Sequence, residues 1–214
     1  MNDAAPSLGR RSRLAAVVLA AGAASRFGDV KLLARLDGRP LLQHVLDAVS
    51  AAHLGECVVV LGATGDRIEA EVRWRSERRV RNPHPEAGLA SSLQAGLRTL
   101  GPEVEGALVL LGDQPRVTPA VIERIVDAWR ASRLPIIAAR YSDDAAPNPV
   151  LIDREVWPLA MALEGDRGMG LVLRRNPELV MEVAVVGENP DVDTPADLAR
   201  LEGSAAHHDG GAVR

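Results

Sequence analysis

The chain reads as an α/β domain with a doubly wound, mostly parallel sheet and helices on both faces. Two observations carry that reading. Short apolar runs alternate with segments whose apolar residues recur at helical spacing. The hydrophobic fraction is 47% but aromatics make up only 2%, so the core must be built from Ala, Val, Leu and Ile. That mixture suits parallel strands covered on both sides. At 214 residues one domain is expected, over 14–202, between a disordered arm (1–13) and a disordered tail (203–214).

The elements follow in order. Leu14–Leu19 is a buried strand. Leu42, Val45, Leu46 and Val49 form one helical face behind Pro40. Cys57–Leu61 is a strand ended by Gly62, followed by a helix over Asp66–Val72 and a short strand at Arg79–Asn82. Leu89, Leu93, Leu97 and Leu100 share one side of the next helix, and Ala107–Leu111 is a further buried strand. Thr118-Pro119 caps a helix carrying Ile122, Ile125, Val126 and Trp129. Pro135–Ala139, Pro149–Ile152 and Val180–Val186 read as strands, with helical pieces at Glu155–Leu163 and Met169–Arg174. Thr194-Pro195 opens the last helix, with Asp197 placed for a variant capping box.

Composition excludes some functions. With 25 Lys+Arg against 29 Asp+Glu the net charge is −4, which offers no global attraction for nucleic acid or acidic membranes. No apolar stretch reaches the ~18 residues of a membrane span. The single cysteine, Cys57, lies in an apolar run and reads as a small buried hydrophobe. His207 and His208 read as a chance doublet in the tail. Arg10-Arg11-Ser12-Arg13 before the apolar stretch also fits a secretion signal. Cleavage after Ala24 would remove the loop described next, which argues against it.

In doubly wound sheets ligands bind beyond the carboxyl ends of the strands. The first strand runs into Leu19-Ala20-Ala21-Gly22-Ala23-Ala24-Ser25-Arg26-Phe27-Gly28-Asp29-Val30-Lys31. This small-residue turn with two cations can wrap backbone N–H groups around a phosphate chain while Arg26 and Lys31 neutralise it. Neither G-x-x-x-x-G-K-[ST] nor G-x-G-x-x-G occurs, so no motif supports a Walker-type hydrolase or a dinucleotide-binding oxidoreductase. Gly112-Asp113-Gln114-Pro115 follows the central strand, and Asp113 there is a hard oxygen ligand suited to Mg²⁺ or simply a turn residue. In Asp191-Val192-Asp193-Thr194-Pro195, alternation puts both aspartates on one face, and either is a candidate second metal ligand. Asn82-Pro83-His84-Pro85-Glu86-Ala87-Gly88-Leu89-Ala90-Ser91-Ser92-Leu93 leads into a helix whose start suits a nucleotide's polar edges, or serves capping alone.

Together with Pro149-Val150-Leu151 and Gly165-Asp166-Arg167-Gly168, these segments resemble the MobA-like nucleotidyltransferase family in order, and within it the molybdenum cofactor cytidylyltransferases. The resemblance covers roughly residues 14–202. It implies a Rossmann-like, nucleotide-diphospho-sugar transferase-like fold. It also implies transfer of CMP from CTP to the phosphate of molybdenum-loaded molybdopterin, with release of pyrophosphate. Arg26 and Lys31 would contact the phosphates during transfer. Leu19, Ala20, Ala21, Gly22, Lys31, Gly88, Ser91, Ser92 and Asp113 would bind the nucleotide. Gln114, Asn148, Asp166 and Gly168 would face the acceptor, and Asp113 and Asp193 would hold Mg²⁺. The implied protein is a cytoplasmic monomer in transient contact with a molybdenum hydroxylase. Ala21 stands where the GTP-using branch resembles Leu-Ala-Gly-Gly, which favours CTP. Asn148 and Gly170 stand where relatives often carry His and Arg, and both changes fall on the acceptor half. GTP as donor, a sugar phosphate or phospholactate as acceptor, and a non-catalytic cofactor-insertion chaperone are the alternatives.

Overall fold

The computed structural model describes residues 13–22, 27, 29–142 and 147–206. Strand β1 (Leu14–Ala20) is buried along its whole length because it lies in the middle of the sheet. Leu14, Ala16, Val18 and Ala20 point into one hydrophobic layer, and Ala15, Val17 and Leu19 into the other. That two-sided burial explains why the segment reads as a continuous apolar run rather than an alternating one.

Six further strands complete the sheet: β4 (Glu56–Leu61), β5 (Arg78–Arg81), β6 (Gly106–Leu111), β7 (Ile136–Arg140), β8 (Val150–Asp153) and β9 (Val180–Ala184). Their order is β5-β4-β1-β6-β8-β7-β9. Pairings are parallel throughout except that β8 runs antiparallel to both β6 and β7. A small antiparallel hairpin of β2 (Arg35–Leu36) and β3 (Arg39–Pro40) lies outside this sheet. It has no counterpart in the sequence reading, because two-residue strands are too short to show a period.

The helices divide between the faces. α1 (Leu41–Ala51) and α4 (Pro119–Ala131) cover one layer through Leu42, Val45, Leu46, Val49, Ile122, Ile125 and Trp129. α2 (Gly65–Glu71) follows β4 and sends Ile68 into the same layer. α3 (Leu89–Arg98), α5 (Trp157–Met161) and α6 (Met169–Arg175) cover the other through Leu93, Leu97, Trp157, Ala160, Val172 and Leu173. The last helix, α7 (Pro195–Ala206), continues past the expected domain end at residue 202. Its alanines favour helix, so the pattern does not break there. The expected arm before Arg13 and the expected tail over 207–214 lie outside the described residues. Among the described residues no helix is long and apolar enough to cross a membrane.

A third, small cluster matters for function. Leu36 of the hairpin, Leu41 at the start of α1 and Leu201 of α7 close around Val192, which is fully buried. Burying a valine side chain is worth about 1.5–3 kcal/mol. With Val192 turned inward, and its N–H bonded to the Asp113 carbonyl at 3.1 Å, its neighbours Asp191 and Asp193 are turned outward.

Candidate functional site

The carboxyl ends of β1 and β6 open onto a cavity of about 460 Å³. Leu19, Ala20, Ala21 and Gly22 form one wall, and Lys31, Asp113 and Asp191 the polar side. Gly88, Ser92 and Asp166 close it from α3 and the loop before α6. The strand edges meet closely. Gly112 N–H donates to the Leu19 carbonyl at 2.9 Å. A Cβ on Gly62, at the end of β4, would lie 2.5 Å from the Ala21 carbonyl oxygen.

The electrostatic centre is Lys31. It lies in a single 3₁₀ turn, Lys31–Leu33, whose Leu32 and Leu33 are anchored in the core. Its Nζ donates to Asp113 Oδ2 at 2.6 Å and to Asp193 Oδ1 at 2.9 Å. Burial pushes the Lys31 ammonium down, but the two carboxylates outweigh it and its pKa is raised above 10.5. A lysine with a raised folded pKa contributes stability that is fully present below its unfolded value and is lost as pH rises through the folded one. Thermal unfolding across pH is therefore expected to show this contribution intact at pH 7 and lost only above 10.5, with Lys31→Met flat over that alkaline window.

Asp191 is tuned the other way. Its pKa is raised, first by partial burial and then by the charge of Asp113, against the hydrogen bond it accepts from Gln114. Gln114 Nε2 donates to Asp191 Oδ1 at 2.8 Å, while Gln114 Oε1 accepts from Asn148 Nδ2 and, at 3.4 Å, from Asn189 Nδ2. Asn189 is itself fixed by the Arg116 N–H, which donates to its Oδ1 at 3.0 Å. The nearly buried Gln114 thus links Asn148 to the cavity wall at Asp191. Asn189 was not picked out from sequence, since a single polar residue in a loop carries no pattern.

Asp193 is held from behind by the cap of α7. Asp197 Oδ2 accepts from the Thr194 N–H and Oγ1, both at 2.8 Å, and from the Asp193 N–H at 3.2 Å. In return, the Asp197 N–H donates to Thr194 Oγ1 at 3.2 Å. The expected capping box is formed, and it also orients the backbone of Asp193.

The remaining wall rests on Asn82, buried beneath it. Its Nδ2 donates to Ser91 Oγ at 2.8 Å and Ser92 Oγ at 3.0 Å, and its Oδ1 accepts from the His84 N–H at 3.0 Å. The one Ser91 hydroxyl proton is shared between the Gly88 and His84 carbonyls, so it serves the helix start, while Ser92 reaches the cavity. Gly88 has φ +89°, and a Cβ there would sit 2.4 Å from the Gly165 carbonyl carbon. Ala90 N–H donates to the Gly165 carbonyl at 3.0 Å, so the start of α3 is docked directly on the loop that carries Asp166.

Of the residues read from sequence, Leu19, Ala20, Ala21, Gly22, Lys31, Gly88, Ser92, Asp113 and Asp166 border the cavity. Gln114, Ser91 and Asp193 stand behind or beside it in contact with residues that line it, and Asn148 stands one residue further back, on Gln114. Gly168 packs against Leu89, which is itself a wall residue. Arg26 and Gly28 lie outside the described residues. Leu32, Pro85, Glu86 and Leu111 also line the cavity and were not singled out beforehand.

The model of the MobA-like NTP transferase domain matches residues 16–180, which hold every residue lining the cavity except Asp191. The chain belongs to that family. It is 32% identical over 195 residues to the nicotine blue oxidoreductase of Paenarthrobacter nicotinovorans, covering 86% of this chain and 94% of that protein. Among solved structures it resembles Rv0371c of Mycobacterium tuberculosis H37Rv, with TM-score 0.81, 31% identity, and 90% and 99% of the two chains covered. A manganese complex of the same mycobacterial protein gives TM-score 0.78 at 30% identity, with 90% and 99% of the two chains covered. A nucleotidyl transferase from Methanothermobacter gives TM-score 0.77 at 25% identity, covering 92% of this chain and 99% of that one. MobA-like NTP transferases as a class are nucleotidyltransferases that use divalent metals, and the carboxylates around Lys31 fit that chemistry.

Proposed function

We propose that this MobA-like protein transfers CMP from CTP to the phosphate of molybdenum-loaded molybdopterin and releases pyrophosphate. The observation that carries the reading is the position of Lys31 Nζ, held between Asp113 and Asp193 at the edge of the cavity. A cation is already favoured at that point, so the two carboxylates suit Mg²⁺. Among the described residues no three His, Cys, Asp or Glu side chains form a metal cage of their own. Mg²⁺ held by one or two carboxylates and completed by phosphate oxygens and water needs no such cage. When bound, the metal would supply charge neutralisation between the nucleotide and acceptor phosphates.

An oxygen of the acceptor phosphate attacks the α-phosphorus of CTP. The bond from that phosphorus to the bridging oxygen breaks, and the electron pair leaves with pyrophosphate. The attacking oxygen is already anionic, so no strong base is required, and the demand is for positioning and charge stabilisation. In this reading Asp113 and Asp193 would hold the metal, and the Lys31 ammonium would contact the triphosphate together with Arg26. Among the described residues a Cβ at Gly22 would meet no atom within 4 Å, which leaves room on that side for a phosphate. Leu19–Ala21 and the Gly88–Ser92 turn face the base and ribose. Asp166, Gly168, Gln114 and Asn148 form the acceptor side. Hand-over to a molybdenum hydroxylase in the cytoplasm completes the reading.

The test is pyrophosphate release with CTP, GTP or ATP and molybdenum-loaded pterin as acceptor. Release with CTP above the others is expected. Release only with a sugar phosphate or phospholactate would replace the acceptor, and no release with any nucleotide and any phosphate acceptor would overturn the reading. Ala21 supplies a second prediction. It is almost fully buried on the base side, and removing its methyl enlarges the pocket. Ala21→Gly is expected to shift the GTP to CTP ratio of kcat/KM upward by about tenfold, within the ~1–3 kcal/mol that a single pocket methyl controls.

A further inference from the structure

A second cavity, of about 340 Å³, shares no lining residue with the first. Arg35 and Arg39 of the hairpin, Arg73 and Arg75 of the segment after α2, and the carboxylates Asp47 and Glu71 line it. Four guanidinium groups against two carboxylates leave an excess of two positive charges in one small space. This contrasts with a chain whose net charge is −4.

The arrangement is built rather than incidental. Gln43, nearly buried, accepts from the Arg73 N–H at 2.8 Å and donates to the Arg73 carbonyl at 3.3 Å, which fastens the 73–75 segment to α1. Asp47 takes Arg39 Nη1 at 3.0 Å on one oxygen and Arg75 Nη1 at 2.8 Å on the other. Gln43 Nε2 donates to Asp47 as well, at 3.0 Å. One carboxylate therefore orients two arginines while satisfying only part of their donors. Arg35 donates from Nη1 to the Gly38 carbonyl at 2.9 Å. Among the described residues the Arg73 guanidinium has no acidic partner. Guanidinium forks match phosphate oxygens in pairs, which ammonium groups do not.

We propose that this arginine cavity binds a small phosphate-bearing polyanion, of the size and charge of inorganic pyrophosphate, at a site separate from the transfer site. The inference stands apart from the proposed transfer reaction, because no residue assigned to that reaction takes part.

Isothermal titration calorimetry of the full chain with inorganic pyrophosphate, in chelator and low salt, tests it. Binding is expected in the wild type and in Lys31→Met, where the transfer site is impaired. It is expected to weaken at least tenfold in the double variant Arg35→Gln/Arg73→Gln and to weaken in the wild type as salt is raised. Arg73→Gln alone, an exposed change with an intact fold by thermal unfolding, is expected to weaken binding measurably and to leave nucleotidyl transfer unchanged. Parallel titrations with inorganic phosphate and with CTP distinguish the source of the phosphate, and pyrophosphate is expected to bind tightest. Wild-type affinity in the double variant, loss of all pyrophosphate binding in Lys31→Met, or no binding by the wild type would overturn the proposal.

Discussion

Lys31→Met is expected to lower kcat/KM for CTP by about 10²–10³-fold, the usual loss when one group stabilising transition-state charge is removed. The wild-type ammonium is shared by Asp113 and Asp193 at 2.6 and 2.9 Å, with Asp191 beside them on the cavity wall. Methionine keeps most of the side-chain volume and removes the only described cation among these carboxylates. Their mutual repulsion then rises, and a triphosphate entering the cavity meets negative charge. The stability loss should be smaller than the activity loss. Asp193 is more than half exposed, and partly solvated pairs contribute about 0–1 kcal/mol. Steady-state kinetics and thermal unfolding on the same preparation separate the two effects. Unchanged kcat/KM would remove Lys31 from the reaction. Lys31→Arg is not expected to rescue fully, because the planar fork cannot sit as a point charge between the two carboxylates.

The second large effect is expected from Gly88→Ala. An alanine at φ +89° carries about 1–3 kcal/mol of backbone strain. Its Cβ would also lie 2.4 Å from the Gly165 carbonyl carbon, a backbone atom that cannot rotate away. The start of α3 and the Asp166 loop must then separate, breaking the Ala90 to Gly165 hydrogen bond that joins them. A Tm lower by roughly 5–15 °C is expected, from about 2–4 kcal/mol in a domain of this size. A raised KM for both substrates should accompany it. Gly22→Ala is the informative contrast. Its Cβ meets no atom of the described residues within 4 Å, so Tm should stay unchanged while the KM for the nucleotide rises. If Gly22→Ala unfolds the protein as readily, Gly22 is scaffold and not part of the phosphate approach.

The course of the sheet was legible because its central strands are buried on both faces. Leu14–Ala20 and Gly106–Leu111 are such strands, and their continuous apolar runs announce both existence and position. The α7 cap was legible for a local reason, since Thr194 and Asp197 lie three residues apart and satisfy each other's backbone. The candidate site was legible wherever it sits directly after a strand. Ala21, Gly22 and Asp113 are placed by strand order and sheet edge alone.

Other features had no such signal. Asn189 and Gln114 become one network with Asn148 and Asp191 only when segments 34 and 75 residues distant from Gln114 are folded together. The arginines at 35, 39, 73 and 75 fall in two unrelated stretches, and only the packing of the hairpin and α1 against the segment after α2 gathers them. Asp191 and Asp193 looked equivalent by alternation. The burial of Val192 turned both outward, yet one bonds Gln114 and the other Lys31.

The sequence by itself therefore determined the layered α/β architecture, the capping of its last helix and the strand ends where a phosphate ligand is expected. Those features depend on period and on neighbours within a few residues. Tertiary structure alone decided which carboxylates share Lys31, which loop Gly88 must admit, and where the surplus arginines converge. Those depend on distances between segments remote in the chain, which no local pattern encodes.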